Sequence, residues 1–120
     1  MAFNRFARAH RPRERKGLLN KLEQEYLQYL ELRRQAGEIQ KYWVKGLKMF
    51  LAPNTTLTVD FFVLANDDVL EAHETKGFME DDAAVKLKVA AAQWPFRFYL
   101  IRKQPKKNGG GFSIKEIVGV

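Results

Sequence analysis

The sequence predicts a single α/β domain in which one helix, three strands, a second helix and a fourth strand follow one another, with an optional C-terminal edge strand. With 120 residues, the chain has room for one hydrophobic core, and 46% hydrophobic residues are enough to fill it. Apolar residues at helical spacing alternate along the chain with shorter, continuously apolar stretches. This alternation is typical of helices packed on a central mixed sheet.

The elements follow from spacing and turn residues. Residues 18–38 predict a helix, because Leu22, Tyr26 and Leu30 recur at helical spacing, and the aromatic and aliphatic residues 39–52 predict the first strand. The other predicted elements are a strand at 57–65, a hairpin turn at 66–68, a returning strand at 69–76, a helix at 81–94, a strand at 96–102 and an edge strand at 111–120.

Positive charge is concentrated in an N-terminal arm, residues 1–17, which precedes the predicted domain at 18–120. The net charge of the chain is +7, and residues 1–16 hold six Lys and Arg against one Glu, a balance of +5. Such clusters are typical of proteins that bind nucleic acid, and a disordered, solubilising tail is the alternative. The candidate DNA-binding residues of the arm are Arg11, Arg13, Arg15 and Lys16.

Composition excludes several classes of protein. The chain has no cysteine, which rules out disulfides and thiolate metal sites and suits the cytoplasm. No apolar run approaches the roughly 18 residues of a membrane span, and the basic start lacks the apolar segment of a signal peptide. We therefore expect a cytoplasmic protein that does not enter a membrane.

Asp60 stands in an unusual place, inside the apolar strand predicted at 57–65. Aspartate is depleted in strands and is rarely buried unless it is paired or binds a cation. A solvent-exposed face of the hairpin, or a salt bridge to a lysine, would explain it without any function. The charged residues that the predicted hairpin brings near Asp60 decide between these explanations and a binding site.

The predicted hairpin brings other charged residues to Asp60. Antiparallel pairing around the turn places Asp60 opposite Glu74 to within one residue, and Lys76, two residues further, lies on the same face as Glu74. Two carboxylates this close repel each other unless a cation lies between them. Mg²⁺ or Mn²⁺ is the natural cation for oxygen ligands, so the hairpin predicts a divalent metal site.

This arrangement of Asp60, Glu74 and Lys76 resembles the active-site motif of the PD-(D/E)XK nuclease superfamily. The stretches "PNTTLTVDFFVL", "HETKGFMEDDAAVKLKVAAAQWP" and "FRFYLI" look like those of small phage-encoded nucleases of that superfamily, and the resemblance covers residues 18–102. Val59 stands where the proline of the name would be, and that proline carries no chemistry. The resemblance implies a restriction-endonuclease-like αβββαβ fold and a Mg²⁺- or Mn²⁺-dependent DNA endonuclease acting in phage or mobile-element DNA processing.

Roles at the site follow from the resemblance residue by residue. Asp60 and Glu74 would bind the metal, and the backbone carbonyl of Thr75 would be a further ligand. Lys76 would orient or help deprotonate the attacking water and balance the charge of the scissile phosphate. Together these groups supply what in-line hydrolysis of a phosphodiester needs.

Residues on the two helices have alternative interpretations. The resemblance favours Glu23 over Glu25 as a supporting carboxylate on the first helix, although Asn20 and Glu23 also match a capping box. Lys86, on the second helix, would contact a substrate phosphate or lie on a solvated face. His73 alternates onto the face opposite Glu74 and is interpreted as structural.

DNA is the partner that the resemblance implies. Branched or junction DNA is one version of the substrate, because a domain of this size has little surface for reading a long sequence. Such enzymes usually form dimers in order to cut two strands, so a homodimer is an expectation from the resemblance alone. A nucleic-acid-binding module without catalysis and a subunit of a larger recombination assembly are the alternatives.

Overall fold

The computed structural model describes residues 19–77 and 81–119, without the side chains of residues 81–83. These residues form an α/β arrangement, which confirms the predicted fold class. The basic arm at 1–17 lies outside the described residues. In chain order the elements are α1 (Lys21–Gln35), β1 (Ile39–Val44), β2 (Lys48–Ala52), β3 (Thr55–Thr58), β4 (Phe61–Ala65), β5 (Leu70–Thr75), α2 (Asp81–Gln93), β6 (Arg97–Lys103), a 3-10 turn (Lys106–Asn108) and β7 (Phe112–Ile117).

The main sheet is mixed and has the strand order β1-β4-β5-β6-β7. Strands β1, β4 and β5 pair antiparallel, whereas β5 and β6 pair parallel. Parallel neighbours need a crossover connection, and α2 lies in that connection between β5 and β6. Strand β7 pairs antiparallel with β6 as the edge strand that the sequence predicted. The predicted order of helix, three strands, helix and strand is therefore present, with β1, β4, β5 and β6 as the strands.

Two predicted strands are interrupted, and this corrects the sequence interpretation. The strand predicted at 39–52 is divided into β1 and β2, because Lys45 and Gly46 adopt positive φ angles of 62° and 121°. A side chain at position 46 would also crowd Phe62, since a Cβ there would lie 3.2 Å from its ring. The chain therefore turns out of the main sheet at this Lys-Gly pair.

The strand predicted at 57–65 is likewise divided, between β3 and β4. Strands β2 and β3 form a separate two-stranded sheet whose residues Met49 and Leu57 are buried in the same cluster as Leu87 of α2. Burying these side chains against α2 is the physical reason for the interruption. Asp60 consequently lies in a bend directly before β4, and not inside a strand as predicted.

Helices cover the main sheet on both faces. On β4 the side chains of Phe61 and Val63 are buried in a cluster with Tyr26 and Leu30 of α1. The side chain of Phe62 lies between them in sequence and is buried in the cluster that contains Leu87 of α2. This alternation is the period of two expected of a strand with both faces covered. No helix among residues 19–77 and 81–119 has the length and apolar character to cross a membrane.

His73 lies in the α1-facing side of the sheet, opposite Glu74, as the sequence predicted. Its Nδ1 is 2.6 Å from the hydroxyl of Tyr26, and its Nε2 is 2.9 Å from Glu71 Oε1. The side chain is almost fully buried, and burial lowers the pKa of His73 below its ordinary value. The bond to Tyr26 joins α1 to β5, the bond to Glu71 lies within β5, and the two identify His73 as a structural residue.

Removing the Tyr26 hydroxyl is expected to destabilise the protein. Tyr26→Phe leaves a buried imidazole nitrogen without its partner, so the free energy of unfolding should fall by about 1–3 kcal/mol in urea titrations. Tyr29→Phe, on the same helix, is the matched control because it leaves the Tyr26–His73 bond intact. Equal stability of the two variants would contradict the structural importance of this bond.

Candidate functional site

Four of the predicted site residues meet where β4 begins and β5 ends. Phe61 pairs with His73 in the register of β4 and β5, and one step beyond it Asp60 lies opposite Glu74, which confirms the predicted hairpin register. Thr75 ends β5 and Lys76 follows it, anchored by a hydrogen bond of 2.9 Å from its N–H to the carbonyl of Ile101 on β6. The pairing of β5 with both neighbours therefore fixes the backbone that carries these side chains.

Asp60 is buried and is held through both carboxylate oxygens. Its Oδ2 accepts hydrogen bonds from the N–H of Thr75 at 3.0 Å and from the Thr75 hydroxyl at 2.7 Å. Its Oδ1 is 3.1 Å from Nζ of Lys45. Only 7% of the residue is exposed, so these three donors replace the water that a free carboxylate would bind.

Glu74 is the second buried carboxylate. Its Oε1 accepts a hydrogen bond from the N–H of Asp60 at 3.1 Å, and its Oε2 is 3.4 Å from Nζ of Lys76. Burial, and then the negative charge of Asp60, raise the pKa of Glu74 to about 7, although Lys76 acts in the opposite direction. Glu74 is therefore a carboxylate whose charged form is disfavoured by its buried position and by its neighbour Asp60.

Glu23 closes the capping box that the sequence predicted and also reaches the cluster around Asp60. It closes the capping box of α1, where its Oε1 accepts from the N–H of Asn20 at 3.1 Å and Asn20 Oδ1 accepts from the N–H of Glu23 at 2.8 Å. Its Oε2 faces the site, 4.0 Å from Nζ of Lys45. Burial, and then the charge of Asp60, raise the pKa of Glu23. Glu25 instead pairs with Lys103 at 2.8 Å, so Glu23 is the helix carboxylate at the site.

Lys45 and the side chain of Thr75 were missed as site groups by sequence reasoning. Lys45 belongs to the Lys-Gly pair between β1 and β2, where it was assigned to a continuous strand. Burial lowers the pKa of Lys45, but Asp60, Glu23 and Glu74 together outweigh burial and raise it. The ligand role expected of the Thr75 carbonyl stays a prediction, and the N–H and hydroxyl of Thr75 hold Asp60 in addition. The glycine after Lys45 was the one signal in the sequence that the strand ended there.

The remaining predicted contact residues lie apart from this cluster or outside the described chain. Lys86 is exposed on α2, and its Nζ donates to the carbonyl of Thr56 on β3 at 3.4 Å. Among described residues it forms no ion pair with the site carboxylates. The four basic residues predicted to bind DNA from the N-terminal arm, Arg11, Arg13, Arg15 and Lys16, are outside the described residues.

Comparisons with known proteins assign no family to the chain. No protein-family model, no curated protein and no solved structure matches it. Within the described part of the chain, no three His, Cys, Asp or Glu side chains are grouped so as to hold a metal ion as they stand. The geometry of the cluster and the resemblance of the sequence are therefore the basis for a functional conclusion.

Proposed function

We propose that this protein is a metal-dependent DNA endonuclease with a PD-(D/E)XK-type site. One observation carries the proposal: the residues Asp60 and Glu74, each less than a tenth exposed, place their carboxylates together beside Lys76 at the end of one hairpin, with Glu23 reaching toward them from α1. Burying two like charges together is unfavourable. Closely placed, buried ionisable residues of this kind are typical of functional sites, where their chemistry offsets the cost of burying them.

The chemistry of the donor set suits a hard divalent cation, once the side chains move closer together than they stand in this structure. Asp60, Glu74 and Glu23 offer carboxylate oxygens, the ligands that Mg²⁺ and Mn²⁺ prefer. Burial and the charge of Asp60 raise the pKa of Glu74, and a positive charge bound nearby would lower it again. A bound Mg²⁺ or Mn²⁺ would stabilise negative charge on the phosphate and lower the pKa of a bound water.

The protein's own groups would divide the remaining work. Thr75 fixes the Asp60 carboxylate through two hydrogen bonds, so that it does not have to be ordered when substrate binds. Lys76 would orient the attacking water and balance charge on the scissile phosphate. The reaction forms a bond from the water oxygen to phosphorus and breaks one backbone P–O bond. The water gives up a proton and the leaving oxygen takes one up.

DNA is proposed as the substrate because the chain carries a net charge of +7, with a basic arm before the domain. A branched or junction DNA is the version that a small domain with little reading surface favours. The action on two strands would be achieved by a homodimer. These finer proposals depend on the sequence resemblance and not on contacts of the described residues.

A nucleic-acid-binding protein without catalysis is the second candidate function. The observation that favours it is that each carboxylate already has a lysine partner, Lys45 for Asp60 and Lys76 for Glu74. Such ion pairs are a sufficient structural reason to keep buried acids. DNA binding would then depend on phosphate contacts and would need no divalent ion.

Cleavage of a labelled DNA panel separates the two candidates. Linear duplex, single strand, flap and four-way junction should be incubated with Mg²⁺, Mn²⁺ or EDTA. We expect metal-dependent cutting of at least one structure, and a loss of at least about a hundredfold in Glu74→Ala and in Lys76→Ala with DNA binding retained. Glu116→Ala and Lys88→Ala are matched controls, because both residues are exposed. Tight binding without cutting under any metal would establish the second candidate instead.

A further inference from the structure

One lysine lies between two site carboxylates without a role in the function proposed above. The ammonium of Lys45 is 3.1 Å from Asp60 Oδ1 and 4.0 Å from Glu23 Oε2. The backbone N–H of Lys45 also donates to the carbonyl of Asp60 at 2.8 Å. Both the main chain and the side chain of Lys45 are therefore tied to Asp60.

The backbone of Lys45 has an unfavourable conformation that the fold maintains. Its φ of 62° lies in the left-handed region, which lysine seldom adopts, and Gly46 continues the turn at 121°. Residues held in such conformations by their surroundings cluster at functional sites. Here the conformation follows from the exit of the chain from β1 toward β2, and it aims the side chain back at the start of β4.

The side chain of Lys45 is positioned so that it can leave. About half of it is exposed, at 51%, whereas Asp60 and Glu23 retain 10% and 13% of their side-chain exposure. The ammonium can therefore move into solvent by rotation about its own bonds, without any opening of the hydrophobic clusters. A divalent cation entering beside Asp60 would repel it in that direction.

We propose that Lys45 is the resident counter-ion of Glu23 and Asp60 in the metal-free protein, competes with the divalent ion for these carboxylates, and neutralises a DNA phosphate once displaced. The inference rests on the proposed metal-dependent nuclease function. It assigns Lys45 two opposite effects, because the same ammonium weakens metal binding and strengthens the contact with substrate. A purely structural lysine would not produce that combination.

The affinity for metal without DNA is the direct test. Isothermal titration of Mn²⁺ into wild type, Lys45→Met and Lys45→Arg should show about tenfold tighter binding in Lys45→Met alone. A tenfold change corresponds to about 1.4 kcal/mol, well below the attraction between unit charges at this distance near a protein surface. Lys41→Met is the matched control, because Lys41 lies on β1, the strand that leads to Lys45, with its Nζ over the ring of Trp43. DNA cleavage at saturating metal should fall in Lys45→Met and stay unchanged in Lys41→Met.

A measurement on the wild-type protein covers the case in which Lys45→Met does not fold. Acetylation of Lys45 by a lysine-reactive reagent, followed by mass spectrometry with and without Mg²⁺, should become faster when metal is added, while that of Lys41 should not change. Metal binding with equal affinity in wild type and Lys45→Met, or unchanged reactivity of Lys45, would overturn the inference and leave the nuclease proposal intact. Absence of metal binding in every variant would overturn the nuclease proposal itself.

Discussion

Replacing Asp60 by asparagine is expected to lower metal-dependent DNA cleavage by at least about a hundredfold. Losing a residue that merely supports a metal ligand costs up to about a hundredfold, and Asp60 is proposed as a ligand itself. Asparagine keeps the shape of the side chain but offers one acceptor oxygen in place of two. One oxygen of Asp60 accepts both hydrogen bonds from Thr75, and the other faces Lys45. The NH₂ group of the new amide is itself a donor, and it would face the donors of Thr75 in one orientation and the ammonium of Lys45 in the other.

Cleavage kinetics and metal titration should be measured on the same preparation of Asp60→Asn. Weaker metal binding with an unchanged circular dichroism spectrum would attribute the loss of cleavage to the site and not to unfolding. Thr75→Val is the graded comparison, because it removes the 2.7 Å hydroxyl bond and leaves the 3.0 Å N–H bond to the same oxygen. Its loss of cleavage should be smaller than that of Asp60→Asn. Full activity of Asp60→Asn would exclude this carboxylate from catalysis.

Glu74→Gln is expected to be more stable than wild type at pH 8 in the absence of divalent metal. Burial and the charge of Asp60 raise the pKa of Glu74 from 4.5 to about 7 in the folded protein. Between these values the folded state binds the proton more tightly than the unfolded state does. The stability that this proton provides is fully present below pH 4.5 and is lost as the pH rises through about 7. Glutamine has no proton to lose, so it avoids this loss.

The expected size of the effect is about 2–3 kcal/mol in the free energy of unfolding at pH 8, and close to zero near pH 4.5. Urea titrations in EDTA at several pH values measure it as the difference between the two proteins. His73 contributes with the opposite sign, since its lowered pKa removes stability as the pH falls below 6.5. Both proteins carry His73, so the difference between them cancels that contribution.

Two further measurements make the Glu74 result specific. Glu116→Gln, at an exposed position on β7, should show no pH-dependent gain over wild type. Adding Mg²⁺ at pH 8 should stabilise wild type and reduce its disadvantage, because a ligand that binds the folded state alone shifts unfolding. Wild type that is as stable as Glu74→Gln at pH 8 in EDTA would show that the two carboxylates are not strained against each other.

Local features explain why the sequence predicted the hairpin correctly. The turn at 66–68 sets the centre of β4 and β5, and residues equidistant from it must face each other, so Asp60 comes to lie opposite Glu74. The period of two along a strand then places His73 and Glu74 on opposite faces. Neither inference required knowledge of any other part of the chain.

Contacts between distant segments explain what the sequence did not predict. The separate β2–β3 sheet forms because its apolar side chains reach α2, about thirty residues later in the chain, and no local pattern records that packing. The choice of Glu23 over Glu25 likewise depends on where the first turn of α1 lies relative to Asp60. Both glutamates have suitable chemistry, and only the three-dimensional placement distinguishes them.

The sequence by itself determined the order of helices and strands along the chain. It also determined that Asp60, Glu74 and Lys76 meet at one end of a hairpin, because turns and strand periodicity act over neighbouring residues. Only the tertiary structure brought Glu23 and Lys45 to Asp60 and buried Glu74 deeply enough to raise its pKa to about 7. Those properties depend on packing and on the summed charges of residues from several elements. The placement of these residues and the pKa of Glu74 depend on distances in space, which cannot be read from distances along the chain.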